Sequence, residues 1–235
     1  PFIVGDGTNA AVLNLLGVVS GPVGFTKIGP GTLMLSGGSD NTYSGPTVVS
    51  EGTLELNKSA DVMAIGNGSL TIGDAVGGPG ADVVRYTGAS NSELNSNVPI
   101  TVNSSGLLDL NNRSDSVGSI TMTGGAIQTG TGLLDLWGMV TATAGGAGNP
   151  ARIEGFMRLS GLTAHTFHML VGPYSPALEI SARISGPDGL TKSGTSSLHL
   201  LAANSYSGVT TVAAGHLMIS HSAGLGATSG GTVVW

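Results

Sequence analysis

The sequence predicts an all-β chain wound as a parallel β-solenoid of roughly ten coils, with no substantial helix. Three observations lead there: internal repetition, short runs in which every second residue is apolar, and a composition rich in glycine but poor in charge. The stretch from Gly24 to Ala60 returns as Gly189 to Ala223. Gly24 meets Gly189, Thr26 and Lys27 meet Thr191 and Lys192, and Gly29 meets Gly194. Further along, Tyr43, Gly45 and Gly52 meet Tyr206, Gly208 and Gly215. Self-similarity of this kind marks architectures in which one supersecondary unit stacks on the next.

Taken in order, the elements fit that picture. Val12-Leu13-Asn14-Leu15 alternates and is followed by a Gly21-Pro22 turn, a strand-and-turn signal. Leu13, Leu15, Val19, Gly21 and Pro22 recur as Leu178, Ile180, Ile184, Gly186 and Pro187, at the same offset that carries Phe2 onto Phe167. The organisation expected is therefore one continuous solenoid over 1–235. It would consist of a unit 1–165 and a second unit 166–235 that is cut short, with motifs at 24–60 and 189–223.

Within the motif, Thr32–Ser36 and Thr53–Asn57 place leucines at alternate positions, hence on one face of a strand. Leu33 and Leu54 stand about one coil apart. Glycines 29, 31, 45 and 52 are expected to supply positive φ at corners. The middle, Asp61 to Ala164, continues with short strands around Leu70, Ile100, Leu108, Ile120, Ile127 and Leu134. Only Ser90–Asn97 offers a helical candidate, barely two turns long. A β-sandwich would use similar strand spacing, but it would need larger inward residues and would not repeat.

Composition sharpens the class. Glycine is 40 of 235 residues, charged residues are 9% and aromatics 4%, while apolar residues reach 40%. Ordinary domains have about 7% Gly and about 25% charge. Mean hydropathy of +0.28 separates the chain from disordered polymers, which combine low hydrophobicity with high charge. A thin, repetitive core of small residues follows. The net charge of −6 and scattered Lys and Arg give nucleic acid and anionic membranes nothing to hold. No apolar run spans a membrane. With no cysteine, disulfides and thiolate chemistry are out. Beginning at Pro1 and ending at Trp235, the chain reads as a segment of something longer.

The pattern G-[LF]-T-K-x-G-x-x-x-L-x-L, followed by N-x-Y-S-G-x-T-x-V-x-x-G-x-L, resembles the autotransporter-associated β-strand repeat, also called the passenger-associated transport repeat. It stands at Gly24–Leu35 with Asn41–Leu54, and again at Gly189–Leu200 with Asn204–Leu217. The resemblance implies a right-handed parallel β-helix exported to a bacterial surface and often adhesive. The C-terminal translocator barrel of such proteins has no counterpart here.

Candidate chemistry is sparse. Arg152, Glu154 and Arg158, with His165 and His168, form the densest polar cluster. Glu154 and a His would together serve as acid and base, whereas the simpler expectation is that strand alternation puts the first three on one solvated face, making cross-strand ion pairs. His165 and His168, three apart, point to opposite faces. Asp109 and Asp135 lie in like Leu-Leu-Asp-Leu strands, and stacked on adjacent coils they would form an acid/base pair or a Ca²⁺ site; the simpler expectation is two separate, solvated carboxylates. Asp6-Gly7 and Asp74 read as turns, and Gly77–Gly80 lacks the Ca²⁺-repeat continuation. Asn57, Asn103, Asn111 and Asn112 fall at strand ends, where they are expected to bond along the coils. Tyr43 and Tyr206 either stack on sugars at the surface or pack over a glycine corner, the second being expected of a folding motif.

The expected function is a non-catalytic structural segment of a large, secreted or surface-displayed bacterial protein, a stalk or adhesin, with no cofactor and no metal. A self-assembling extracellular fibre of end-to-end β-helices is the alternative, and a carbohydrate-active enzyme a more distant one. The partners expected are a surface glycan or a protein receptor, with head-to-tail self-association as a further option.

Overall fold

A computed structural model describes residues 2–5, 11–146 and 149–235. The turn expected at Asp6-Gly7 lies outside them. Among the described residues the fold is a parallel β-solenoid of about ten coils. All strand pairings are parallel, and they run in three ladders that climb the stack.

The first ladder starts at Phe2–Ile3 and Phe25–Ile28 and ends at Thr210–Val212 and Thr232–Val234. The second runs from Val12–Leu15 through Thr32–Gly37 and Gly52–Lys58 to His216–Ile219. Two long strands, Ile100–Asp109 and Ile120–Gln128, bend from one ladder into the other. The third is a four-stranded sheet of Asp115–Val117, Leu134–Leu136, Phe156–Leu159 and Arg183–Ser185. The same side is continued by main-chain bonds, Thr42 N to Val19 O at 2.9 Å and Ser205 N to Ile184 O at 2.8 Å. Ser90–Asn97 is not helical; its Leu94 bridges Ile65 in parallel.

Strand alternation builds the core. One inward column of the second ladder reads Leu33, Leu54, Val84, Leu108, Ile127, Ile153, Ile180 and Leu200, all fully buried. Each such side chain contributes about 1.5–3 kcal/mol of burial, and coil-on-coil stacking makes the stability nearly one-dimensional. Followed through the pairings, Lys27 and Lys192 fall in inward columns two residues apart. A slip of two keeps every side chain on its face, whereas a slip of one would invert them.

The local environment of the motif repeats. Phe2 pairs with Lys27 and Phe167 with Lys192. Gly29 and Gly52, with Gly194 and Gly215, do adopt positive φ, between +70° and +82°. Gly31 and Gly45 do not. Their lack of a side chain serves close approach instead: a Cβ on Gly31 would overlap the Ala11 carbonyl, and one on Gly45 would overlap the Gly24 amide.

Candidate functional site

The motif residues form compact, buried polar constructions. Lys27, completely buried, donates from Nζ to Ile28 O at 3.3 Å, Gly29 O at 2.5 Å and, one coil on, Glu51 O at 2.8 Å. Lys192 repeats this with Ser193 O, Gly194 O and Ala214 O at 2.9, 2.7 and 2.7 Å. Burial depresses the Lys27 pKa, opposed by the charges of Glu51 and Asp82, and depresses that of Lys192. An ammonium carries three donors and no acceptor, so three carbonyls saturate it.

Asn41 and Asn204 stitch coils together. Asn41 Oδ1 accepts from Val19 N at 2.9 Å in one neighbouring coil, while Nδ2 donates to Ala64 O at 2.8 Å in the other. Asn204 does the same with Ile184 N and Gly224 O. Tyr43 and Tyr206 are fully buried, their hydroxyls 2.6 Å from Thr47 Oγ1 and Thr210 Oγ1. Neither is available to a sugar at the surface. Tyr206 borders a glycine, since a Cβ on Gly226 would sit 3.0 Å from its ring. Thr26 and Thr191 are half-buried strand residues. Tyr43→Phe is expected to lower stability by about 1–2 kcal/mol, the cost of leaving a buried hydroxyl unpartnered. Urea unfolding measures it, and an unchanged midpoint would show that the bond contributes nothing.

The polar cluster expected on one face is divided. Gly155, at φ +99°, turns the chain between Ala151–Glu154 and Phe156–Leu159. Arg152 and Glu154 therefore lie on the second ladder and Arg158 on the third. The ion pairing is real but runs between coils: Arg152 to Glu179 at 3.4 Å, and Arg158 to Asp135. Asp109 and Asp135 do not stack, because they sit on different ladders. Asp109 pairs with Arg85 at 2.9 Å. Asp135 is buried rather than solvated, clamped by both Nε and Nη2 of Arg158, and accepts from Trp137 Nε1 at 3.1 Å. Burial alone would raise its pKa, but the Arg158, Ser160 and Trp137 hydrogen bonds and the Arg158 charge hold it below the usual carboxylate range.

The histidines also separate. His165 is buried between Gly138 O at 2.9 Å and Asp188 at 3.1 Å, whereas His168 points away, to Ser193 Oγ at 2.9 Å. Among the described residues no three His, Asp or Glu are placed to hold a metal ion. Asn103 and Asn111 bond to backbone one coil away, to Gly73 O and Tyr86 O, and Asn112 accepts from Thr131 N. Asn57 reaches Met34 Sδ. Each links coils, but to other groups and not to another Asn.

Two constructions in the middle coils had no signal in the spacing. The first is a buried acidic cluster. Asp115 Oδ2 accepts from Tyr86 Oη at 2.8 Å and Leu94 N at 3.0 Å, and Glu93 Oε1 accepts from Lys58 N at 3.0 Å. Burial above all, then the Asp115 charge, pushes Glu93 up to about 8 against the Lys58 amide bond and the Lys58 and Arg113 charges. Burial likewise pushes Asp115 up to about 6 despite its four hydrogen bonds. Both carboxyls hold protons more tightly folded than unfolded. Their stabilisation is complete below the ordinary values of 3.8 and 4.5 and is lost as pH rises through about 6 and about 8. Stability is expected to be about 5 kcal/mol lower at pH 9 than at pH 5, and Glu93→Gln should remove most of that difference. Urea unfolding at the two pH values reads it directly, and equal stabilities in the parent chain would contradict a protonated Glu93.

The second is a groove on the third ladder's side, of about 420 Å³. Met63, Ser92, Asn95, Ser96 and Ser116 line it, and Trp137 closes one end. A Cβ on Gly161 would strike the Trp137 ring, so the indole lies against bare backbone there, at a glycine whose φ of +88° no other residue adopts easily.

Comparison with known proteins places this construction. The passenger-associated-transport-repeat family model matches residues 25–56 and 190–219. The adhesin BmaC autotransporter of Brucella suis biovar 1 (strain 1330) is 29% identical over 239 residues, covering 82% of this chain. The chain spans only 7% of that protein's length. No solved structure matches it. The two matched stretches contain Lys27 and Lys192, the coil-stitching asparagines and the Tyr–Thr pairs, so this chain is an all-β solenoid in which two stretches are similar to the passenger-associated transport repeat.

Proposed function

We propose that the chain is a non-catalytic passenger segment of an exported, surface-displayed bacterial adhesin, in which the repeats hold the coil and the outward face of the middle coils meets the partner. What carries this reading is the disposition of the motif side chains: Lys27, Lys192, Asn41, Asn204, Tyr43 and Tyr206 are all buried and are engaged with the coil itself. Nothing in that set is free to bind or react with an outside molecule. The similarity to an adhesin over 82% of the chain supports the adhesive role. Non-catalytic character is supported by the division of Glu154, on the second ladder, from His165 and His168, on the first, and of Asp109 from Asp135, since acid–base chemistry needs such groups within reach of one substrate.

Displaying the chain on a non-adherent bacterium, fused to an unrelated translocator, tests the reading. Adherence to host-cell or matrix surfaces above the empty translocator is the expected result. Correctly folded, displayed chain that leaves adherence at the control level would overturn it.

A further inference from the structure

The groove beside Trp137 has the chemistry of a sugar site. Trp137 is 50% exposed in a chain with only two tryptophans, yet it is not loosely held. Its amide donates to Val117 O at 2.9 Å, its indole N–H donates to Asp135 Oδ2, and its ring rests on Gly161. Asp135 is itself fixed by Arg158. An exposed aromatic immobilised from three directions is a preorganised platform, and ordering it in advance lowers the entropic cost of binding.

Beside Met63, Leu94 and the Asp115 carboxyl, the rest of the groove is hydroxyl and amide, from Ser92, Asn95, Ser96 and Ser116. Met63, Ser96, Ser116 and Trp137 belong to four successive coils, since Ile65 pairs with Leu94, Leu94 N bonds Asp115, and Ser116 pairs with Asp135. At about 4.8 Å per coil the groove extends roughly 14 Å along the stack. A pyranose chain offers what such a surface accepts: C–H faces for the indole and a fringe of hydroxyls for Ser and Asn. The one charged side chain among the described residues that line the groove is Asp115; Asp135 and Arg158, paired with each other, line the neighbouring pocket. No described lysine or arginine lines the groove to meet a carboxylate or sulfate on the ligand.

We propose that this groove is a binding site for an uncharged oligosaccharide, with Trp137 stacked on a pyranose face and Asn95, Ser96 and Ser116 meeting its hydroxyls. The inference rests on the adhesive reading above and gives it a ligand class.

The test uses the whole chain with Trp235→Phe, which leaves Trp137 as the sole indole. Labelled protein is applied to an array of immobilised neutral and sialylated oligosaccharides, and neutral binders are then titrated against tryptophan fluorescence. The expected result is retention by neutral oligosaccharides with a saturable change in emission. Read by retention of the labelled protein on the array, Trp137→Ala should weaken binding at least about tenfold, and Ser116→Ala a few-fold, while circular dichroism remains that of the parent. Among the described residues Ser116 Oγ makes no hydrogen bond that folding would miss, so it serves if Trp137→Ala is unstable. The proposal is overturned if no neutral oligosaccharide binds, if only sialylated ones do, or if both variants bind as the parent does. Adherence of displaying bacteria without oligosaccharide binding would sink this inference and leave the adhesive reading standing. Oligosaccharide binding without adherence would do the reverse.

Discussion

Gly45→Ala is expected to destabilise the chain by about 4 kcal/mol or more, beyond the usual range for a single substitution. Gly24, Gly45 and Gly68 lie one above another at one corner of three successive coils. A Cβ on Gly45 would overlap Gly24 N, and one on Gly68 would overlap Gly45 O. The atoms in the way are main chain, so no rotamer change relieves the clash. The coils cannot part either, because Phe25 N to Pro46 O at 2.9 Å and Ser44 N to Gly21 O at 3.0 Å tie them on both sides of the corner. Gly208 makes the same approach to Gly189. Gly38→Ala is the matched control: a Cβ there meets only Ser59 Oγ, at 3.7 Å, and φ is not positive. Its effect should stay within about 0.5 kcal/mol. Urea unfolding compares the two, and equal midpoints would contradict the account of the corner.

Lys27→Met is expected to cost about 3–4 kcal/mol. Methionine nearly fills the volume, so the cavity contribution is small. What is lost is a donor to three carbonyls, and an orphaned buried polar group costs about 1–3 kcal/mol. Removing the charge from low dielectric returns some of this, since burying an ammonium is itself unfavourable. The orphaned carbonyls outweigh that gain because Glu51 and Asp82, whose charges favour the ammonium, also lose their counter-charge. Lys192→Met should show the same sign at the second copy. Chemical unfolding of the two variants provides the measurement, and a neutral or stabilising result at Lys27 would show that burial of the charge dominates instead.

The solenoid was readable because its evidence is local and periodic. Leu33, Leu35, Leu54 and Leu56 alternate in sequence and are all fully buried. The repeated Lys, Tyr and Gly of the motif pointed to coil building for the same reason. Contacts between coils were far less legible. Arg158 meets Asp135 and His165 meets Asp188 across 23 residues, whereas Tyr86 meets Asp115 across 29 and Lys58 meets Glu93 across 35. Coil length varies with each insertion, so no fixed spacing brings such partners together on paper. Corners add a second difficulty: Gly155 moves Arg158 to another face than Glu154, which alternation counted straight through the glycine misses. Trp137 was visible as one of two tryptophans, but its platform depends on Gly161 and Asp135, and the sequence showed neither contact.

The central claim is that each repeat fastens its own coils in a stack where neighbours interact only with neighbours. Native-state hydrogen exchange on the parent chain, Lys27→Met and Lys192→Met tests it most directly. The account predicts that Lys27→Met speeds exchange chiefly in the coils around Phe25–Ile28 and Thr47–Val49, and that Lys192→Met does so around Gly189–Ser193 and Thr210–Val212, each leaving the other copy protected. Exchange that rises equally in both copies on either substitution, or in neither, would contradict it.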